Sequence, residues 1–213
     1  MTAVIVPTHN EEKNIRPFLA QIPQGYHPII IDDSSDATAD LAEEMGAIVL
    51  RMPRAKWQYI PLKYMLGLQT AKRLGYEIGI TMDCGDNFMP YEVELLDKDA
   101  DLVIGQRRFY GKGIRRIISN VASLAVSLLG VDLDDATCGF RAYKLDKLPD
   151  SGIISKSPHA FQIEMLVKWE GTIDTVDIPY RPPEKSTLSL WTFYDWARVY
   201  ASLYQLSRCR LEG

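Results

Sequence analysis

The stretch Pro28-Ile29-Ile30-Ile31-Asp32-Asp33-Ser34-Ser35 decides the fold class. Three consecutive isoleucines leave no polar face, so the run reads as a strand covered on both sides, the habit of strands in a parallel sheet. It stops in two carboxylates and two hydroxyls. Working outward, Ala3–Pro7 is a second continuous apolar run, and a helix is expected over Glu11–Leu19 between the two. On the other side, Thr38–Met45 reads as a helix, with Gly46 where a left-handed C-terminal cap belongs, and Ala47–Arg51 as a third strand. The rhythm continues with a helix over Pro61–Leu74 closed by Gly75, then strands over Glu77–Met82 and Leu102–Gly105. Short buried strands alternating with helices predict an α/β fold, a Rossmann-like and mainly parallel central sheet flanked by helices on both faces.

The second half is less regular. It offers a helix over Ile114–Leu129, a strand over Cys138–Lys144, a helix over Pro158–Trp169 and a strand over Thr172–Ile178. A last helix over Leu190–Arg208 carries Trp191, Phe193, Tyr194, Trp196, Tyr200 and Tyr204. No repeat or low-complexity linker divides the chain, so residues 1–213 read as one domain. Hydrophobic residues at 46% and charged residues at 24% are ordinary for a globular protein. A net charge of −4 lacks the basic excess of a nucleic-acid binder, so none is expected as a partner. The three cysteines, Cys84, Cys138 and Cys209, show neither zinc-ligand nor disulfide spacing. The apolar stretch Val121–Val131 is shorter than the ~20 residues of a membrane span. The chain enters its first strand without a basic leader, which points to the cytoplasm. The aromatic last helix, with Arg198, Arg208 and Arg210, either packs on the core or lies peripherally on the cytoplasmic face of a membrane. Oligomeric state is not legible.

In open parallel sheets ligands bind beyond the carboxyl ends of the strands. The first strand is followed by Pro7-Thr8-His9-Asn10-Glu11-Glu12. Thr8 and Glu11 match a capping box, and the same helix start offers N–H groups to an anion. The absence of G-x-G-x-x-G here argues against a dinucleotide-dependent oxidoreductase. At Asp32-Asp33, a helix N-cap by Asp33 or Ser35 would use one residue and leave the acidic pair unexplained. A carboxylate at that point can accept hydrogen bonds from a ribose or a base. Asp83, Asp86 and Asn87, in Asp83-Cys84-Gly85-Asp86-Asn87, could supply hard oxygens to a divalent cation bridging phosphates. The alternative is a tight polar turn with Gly85 at positive φ. Arg107 and Arg108 follow the Leu102–Gly105 strand, where arginine forks suit phosphate oxygens, a solvated surface pair being the alternative. Arg115-Arg116 is a second local basic cluster.

Taken together, these segments resemble family 2 inverting glycosyltransferases of the GT-A fold, and most closely the dolichyl- or polyprenyl-phosphate mannosyltransferase-like branch. The resemblance runs through Val4–Glu12, Ile30–Ser35, Asp101–Arg107, the D-x-T-x-G-F-R pattern in Asp135-Ala136-Thr137-Cys138-Gly139-Phe140-Arg141, and Phe161–Leu166. It implies transfer of a sugar from a GDP- or UDP-sugar donor to a lipid-phosphate acceptor, assisted by Mg²⁺ or Mn²⁺. Pro7, His9, Glu11, Asp32 and Asp33 would meet the nucleotide. Asp83 would be the first metal carboxylate of a D-x-D motif, with Asp86 and Asn87 as further ligands, since the second motif position is Gly85. Arg107 and Arg141 would hold phosphates. Arg108, Arg115, Lys185 and Ser186 would serve the acceptor or its phosphate, Lys185 standing in for a lysine expected two residues later. Glu164 would lie near the sugar, and an ordinary solvated helix position is its alternative. Residues 1–110 would form the nucleotide-sugar half, 111–190 the acceptor half, and 190–213 an amphipathic helix. If the acceptor is a hydroxyl instead, Glu164 or Asp135 is the candidate general base. A sugar-nucleotide-binding protein without transfer activity is the remaining alternative.

Overall fold

The computed structural model describes residues 1–53, 60–85, 89–107, 123–124, 126–128, 133–150, 152–179, 181 and 194–203. The expected sheet is present. The strands are β1 (Thr2–Thr8), β2 (Tyr26–Asp32), β3 (Ile48–Arg51), β4 (Ile78–Thr81), β5 (Leu102–Arg107), β6 (Arg141–Lys144) and β7 (Ile173–Ile178). They form one sheet in the order β3-β2-β1-β4-β6-β5-β7. Every neighbouring pair is parallel except those made by β6, which runs antiparallel between β4 and β5. The isoleucine run sits where its composition places it: Ile29, Ile30 and Ile31 are fully buried, flanked by Ala3–Val6 of β1.

The helices are α1 (Ile15–Leu19), α2 (Thr38–Glu44), α3 (Ile60–Arg73) and α4 (Pro158–Lys168). α1 packs on α2, and α3 on α4. Right-handed crossovers between parallel strands put the first pair on one face of the sheet and α3 on the other. α3 can lie close to the sheet only because position 67 is glycine. A Cβ there would stand 2.3 Å from Ile5 Cγ2 and 3.3 Å from Ile31 Cγ1. Gly46 and Gly75 both have φ +84°, the left-handed caps expected after α2 and α3. Gly85 has no such φ, so the expected positive-φ turn is not its role.

α1 begins at Ile15 rather than Glu11, because Thr8 does not cap it. Its hydroxyl donates instead to Asp32 Oδ1 at 2.6 Å, across the ends of β1 and β2. α2 likewise starts after Ala37 without a side-chain cap, so neither Asp33 nor Ser35 plays that part. α4 is capped by Ser157, whose hydroxyl accepts from the Ala160 N–H, with Pro158 at its first turn. Helical residues 194–203 bury Asp195, Val199 and Leu203 at one-turn intervals. Asp195 accepts from the Lys156 and Ser157 N–H groups, which fastens this helix to the start of α4. The described part of the last helix thus faces the core. Among the described residues, no helix is long and apolar enough to cross a membrane.

Candidate active site

The carboxyl ends of β1, β2, β4 and β5 share one edge of the sheet. Because β6 is antiparallel, its first residue, Arg141, arrives at that same edge. The loops beyond β1 and β2 are tied together by a hydrogen-bond ladder that continues the strand register, two of its rungs joining side chains and two donated by the backbone N–H groups of Asn10 and Glu12. Thr8–Asp32, His9–Asp33, Asn10–Ser34 and Glu12–Asp36 are hydrogen-bonded pairs, each 24 residues apart. Asn10, at φ 58°, sits in the left-handed region that asparagine tolerates, and its Oδ1 accepts from Ser35. Glu11 lies outside this register: its N–H donates to Thr38 Oγ1, 27 residues away.

Asp32 and Asp33 are both buried, and each is differently occupied. Asp32 accepts from Thr8 and from Ser34. Asp33 Oδ1 lies 2.6 Å from Lys63 Nζ and 2.8 Å from His9 Nδ1. Burial pushes the Asp33 carboxyl up, but the hydrogen bonds and charges of Lys63 and His9 outweigh it and hold it below the usual carboxylate range. Lys63 is 1% exposed and also donates to the Thr8 carbonyl at 2.6 Å. Pro7, expected to meet the nucleotide, is buried within β1 in register with Ile31 of β2.

Asp83 follows β4 and is open to solvent. Tyr64, 1% exposed, donates to its Oδ1 at 2.6 Å. Desolvation by the surrounding protein pushes the Asp83 carboxyl up, while the Tyr64 hydrogen bond and the charge of Arg107 pull it partly back. Burial, with the Asp83 charge beside it, drives the Tyr64 hydroxyl well above its ordinary value, so Tyr64 stays a donor. Tyr64 is braced by stacking on Phe161 at 5.8 Å. Among the described residues, no group of three potential metal ligands forms. Asp86, Asn87, Arg108, Arg115, Lys185 and Ser186 lie outside the described residues.

Arg107 is not a solvated surface arginine. It is 12% exposed and makes a bidentate pair with buried Asp135, Nε–Oδ2 2.6 Å and Nη2–Oδ1 2.7 Å, and it donates to Thr137. The loop presenting Asp135 is shaped by Arg141. This corrects the phosphate role expected of Arg141. Its guanidinium is fully buried and donates to the Ala136, Cys138 and Gln162 carbonyls. Glu164 needs a similar correction. It is fully buried, neither solvated nor open to a sugar, and accepts from the Ile154 and Ser155 N–H groups and from Lys168 at 2.6 Å. Burial lifts the Cys138 thiol to about 11, which makes it an inert core residue.

Sequence reasoning passed over Lys63 and Tyr64. The available signal was a lysine on the apolar side of α3, one turn before Gly67, where a charge has no business unless it is paired.

The chain matches the family described as Glycosyl transferase family 2 over residues 3–144. The protein is a family 2 glycosyltransferase. The polyprenol monophosphomannose synthase of Mycolicibacterium smegmatis is 33% identical over 187 residues, covering 77% of this glycosyltransferase and 70% of that protein. The undecaprenyl-phosphate mannosyltransferase of Micrococcus luteus is 31% identical over 183 residues, covering 77% and 75%. Among solved structures, glucosyl-3-phosphoglycerate synthase from Mycobacterium tuberculosis, crystallised with Mn²⁺, UDP-glucose and phosphoglyceric acid, superposes with a TM-score of 0.64. It is 18% identical over 97% of this glycosyltransferase and 79% of that chain, a likeness of fold alone. The family match takes in both acidic strand ends, Arg107 and the Asp135–Arg141 loop. Glu164 and the last helix of the glycosyltransferase lie beyond it.

Proposed function

We propose that this glycosyltransferase moves a hexose, mannose by analogy with its named relatives, from a GDP- or UDP-sugar to a polyprenyl phosphate with inversion at the anomeric carbon. One observation carries the choice of acceptor. Both carboxylates offered as general base are engaged, Glu164 by two backbone N–H groups and Lys168, and Asp135 by Arg107. A hydroxyl acceptor must give up its proton to a base. A lipid phosphate is already ionised at neutral pH and needs none.

On the donor side, the His9–Asp33 wall would receive the base and ribose. Asp83 would give one hard oxygen to Mg²⁺ or Mn²⁺, a fit supported by a carboxylate that stands open to solvent just beyond the end of β4. Gly85 brings no side chain, so further ligands would come from Asp86, Asn87 or water. When bound, the cation would supply positive charge to the departing diphosphate. Arg107 would add a fixed charge beside Asp83, held in place by Asp135 and needing no reorganisation. Residues 1–110 would hold the donor and 111–190 the acceptor. Any peripheral contact of residues 190–213 with the cytoplasmic face of a membrane, where the acceptor headgroup is found, would fall to the side of the last helix that the core does not cover.

The test is transfer of labelled sugar from GDP-mannose and from UDP-glucose into the organic phase in the presence of undecaprenyl phosphate, with and without Mn²⁺. Metal-dependent labelling of the lipid is expected. Labelling of a hydroxyl acceptor instead would overturn the acceptor assignment. Nucleotide-sugar binding without transfer to any acceptor would favour the second reading, a binding protein, which the missing carboxylate at Gly85 keeps in play.

A further inference from the structure

Two consecutive residues of α3 reach the two acidic strand ends. Lys63 Nζ bridges the Thr8 carbonyl and Asp33 Oδ1, at 2.6 Å each, at the ends of β1 and β2. Tyr64 Oη donates to Asp83 Oδ1 at 2.6 Å, beyond the end of β4. Both side chains are 1% exposed, so neither can touch a substrate. A buried ammonium is tolerated only when fully paired, and here both partners belong to the nucleotide wall. The backbone carrying these residues has little freedom. One turn on, Gly67 brings α3 so near Ile5 and Ile31 that a single methyl would collide, and Tyr64 is clamped against Phe161.

We infer that Lys63 and Tyr64 are the positioning residues of the donor subsite, Lys63 holding the buried Asp33 carboxylate that orients His9 at the nucleoside wall and Tyr64 the carboxylate that faces the cation and diphosphate. The inference rests on the donor-site reading given under Proposed function. It assigns the two ends of a nucleoside diphosphate sugar to two neighbouring positions of one helix. The separation between those ends is then set by the fixed geometry of adjacent helical residues. It also predicts that the two positions fail differently, because each acts through one end of the ligand.

The experiment is calorimetric titration of GMP, UMP, GDP and UDP, with and without Mn²⁺, into the wild-type chain and the variants Lys63→Met and Tyr64→Phe. Lys63→Met is expected to weaken mono- and diphosphate binding alike by about tenfold or more. Tyr64→Phe is expected to leave monophosphate binding within about twofold. It should cut the Mn²⁺-dependent gain in diphosphate binding by about fivefold, the worth of one hydrogen bond. A purely structural role would lower the melting temperature without this split. If Lys63→Met does not fold, Lys63→Arg, which keeps the charge and moves the donor atoms, is judged by the same thresholds. Variants that bind like wild type, or a Tyr64→Phe protein that loses mono- and diphosphate equally, would overturn the inference while leaving the donor site standing. A wild-type chain that binds no nucleotide would remove the donor-site reading and the inference with it.

Discussion

At the scale of single residues, the molecule uses its buried charges as fasteners. Removing one partner of a buried pair strands the other, typically at about 3–5 kcal/mol. Glu164→Ala leaves two backbone N–H groups without their acceptor and Lys168 with the Gly152 carbonyl in place of an ion pair. It should therefore lower the urea-unfolding free energy by about 3 kcal/mol, while transfer per folded molecule stays near wild type. A collapse of turnover at unchanged stability would return Glu164 to the chemistry. Asp33 makes a second prediction, through acid. Its folded-state pKa lies below the ordinary 3.8, so its contribution to stability is complete above that value and is lost as the pH falls through the lower, folded one. The stability gap between wild type and Asp33→Asn should stay flat from pH 6 to about pH 4 and narrow below it, as followed by chemical denaturation. A gap independent of pH would mean that the Lys63 and His9 contacts do not favour the charged form.

The elements were legible in proportion to how local their signals are. The strand runs, the helix over Pro61–Leu74 and the glycine caps at Gly46 and Gly75 are written in adjacent residues, and the structure has them with small changes of boundary. Thr8 misled because a capping box and a strand-end hydroxyl look alike in sequence. Which one forms depends on Asp32, 24 residues away. Lys63 and Arg141 misled in opposite senses. One was passed over as a helix residue and the other cast as a phosphate ligand, and the burial of both is decided by elements distant in the chain. The intimacy of α3 with the sheet gives the test at this scale. Gly67→Ala should cost about 1–3 kcal/mol by overpacking against Ile5 and Ile31, although alanine is the better helix former. A melting curve shifted upward would show that the helix has room to retreat.

For the whole molecule, the feature that sequence could not supply is the order of the strands. β6 comes late in the chain, yet it is inserted between β4 and β5, so the sheet is completed only when residues from both halves are in place. Local apolar runs specify that strands exist; which edges meet is settled by long-range packing. A fragment ending at residue 110 would lack the strand that joins β5 to β4. It should stay unfolded or aggregate, as measured by circular dichroism and light scattering, whereas the full chain should unfold in a single transition. An independently folded fragment would show that β1–β4 suffice.

The equal spacing of the rungs between the segments after β1 and β2 bears on how such a protein can be altered. Thr8, His9, Asn10 and Glu12 find partners at a constant offset, so the two segments behave as a zip with one set of teeth. Inserting or deleting one residue on either side would disengage every tooth beyond the change, whereas exchanging a facing pair disturbs one. On the proposed donor reading, donor preference would be open to drift by paired replacement and closed to changes of length. Anyone transplanting this recognition surface onto a related enzyme must carry both segments across together, because either alone would arrive without its counterpart.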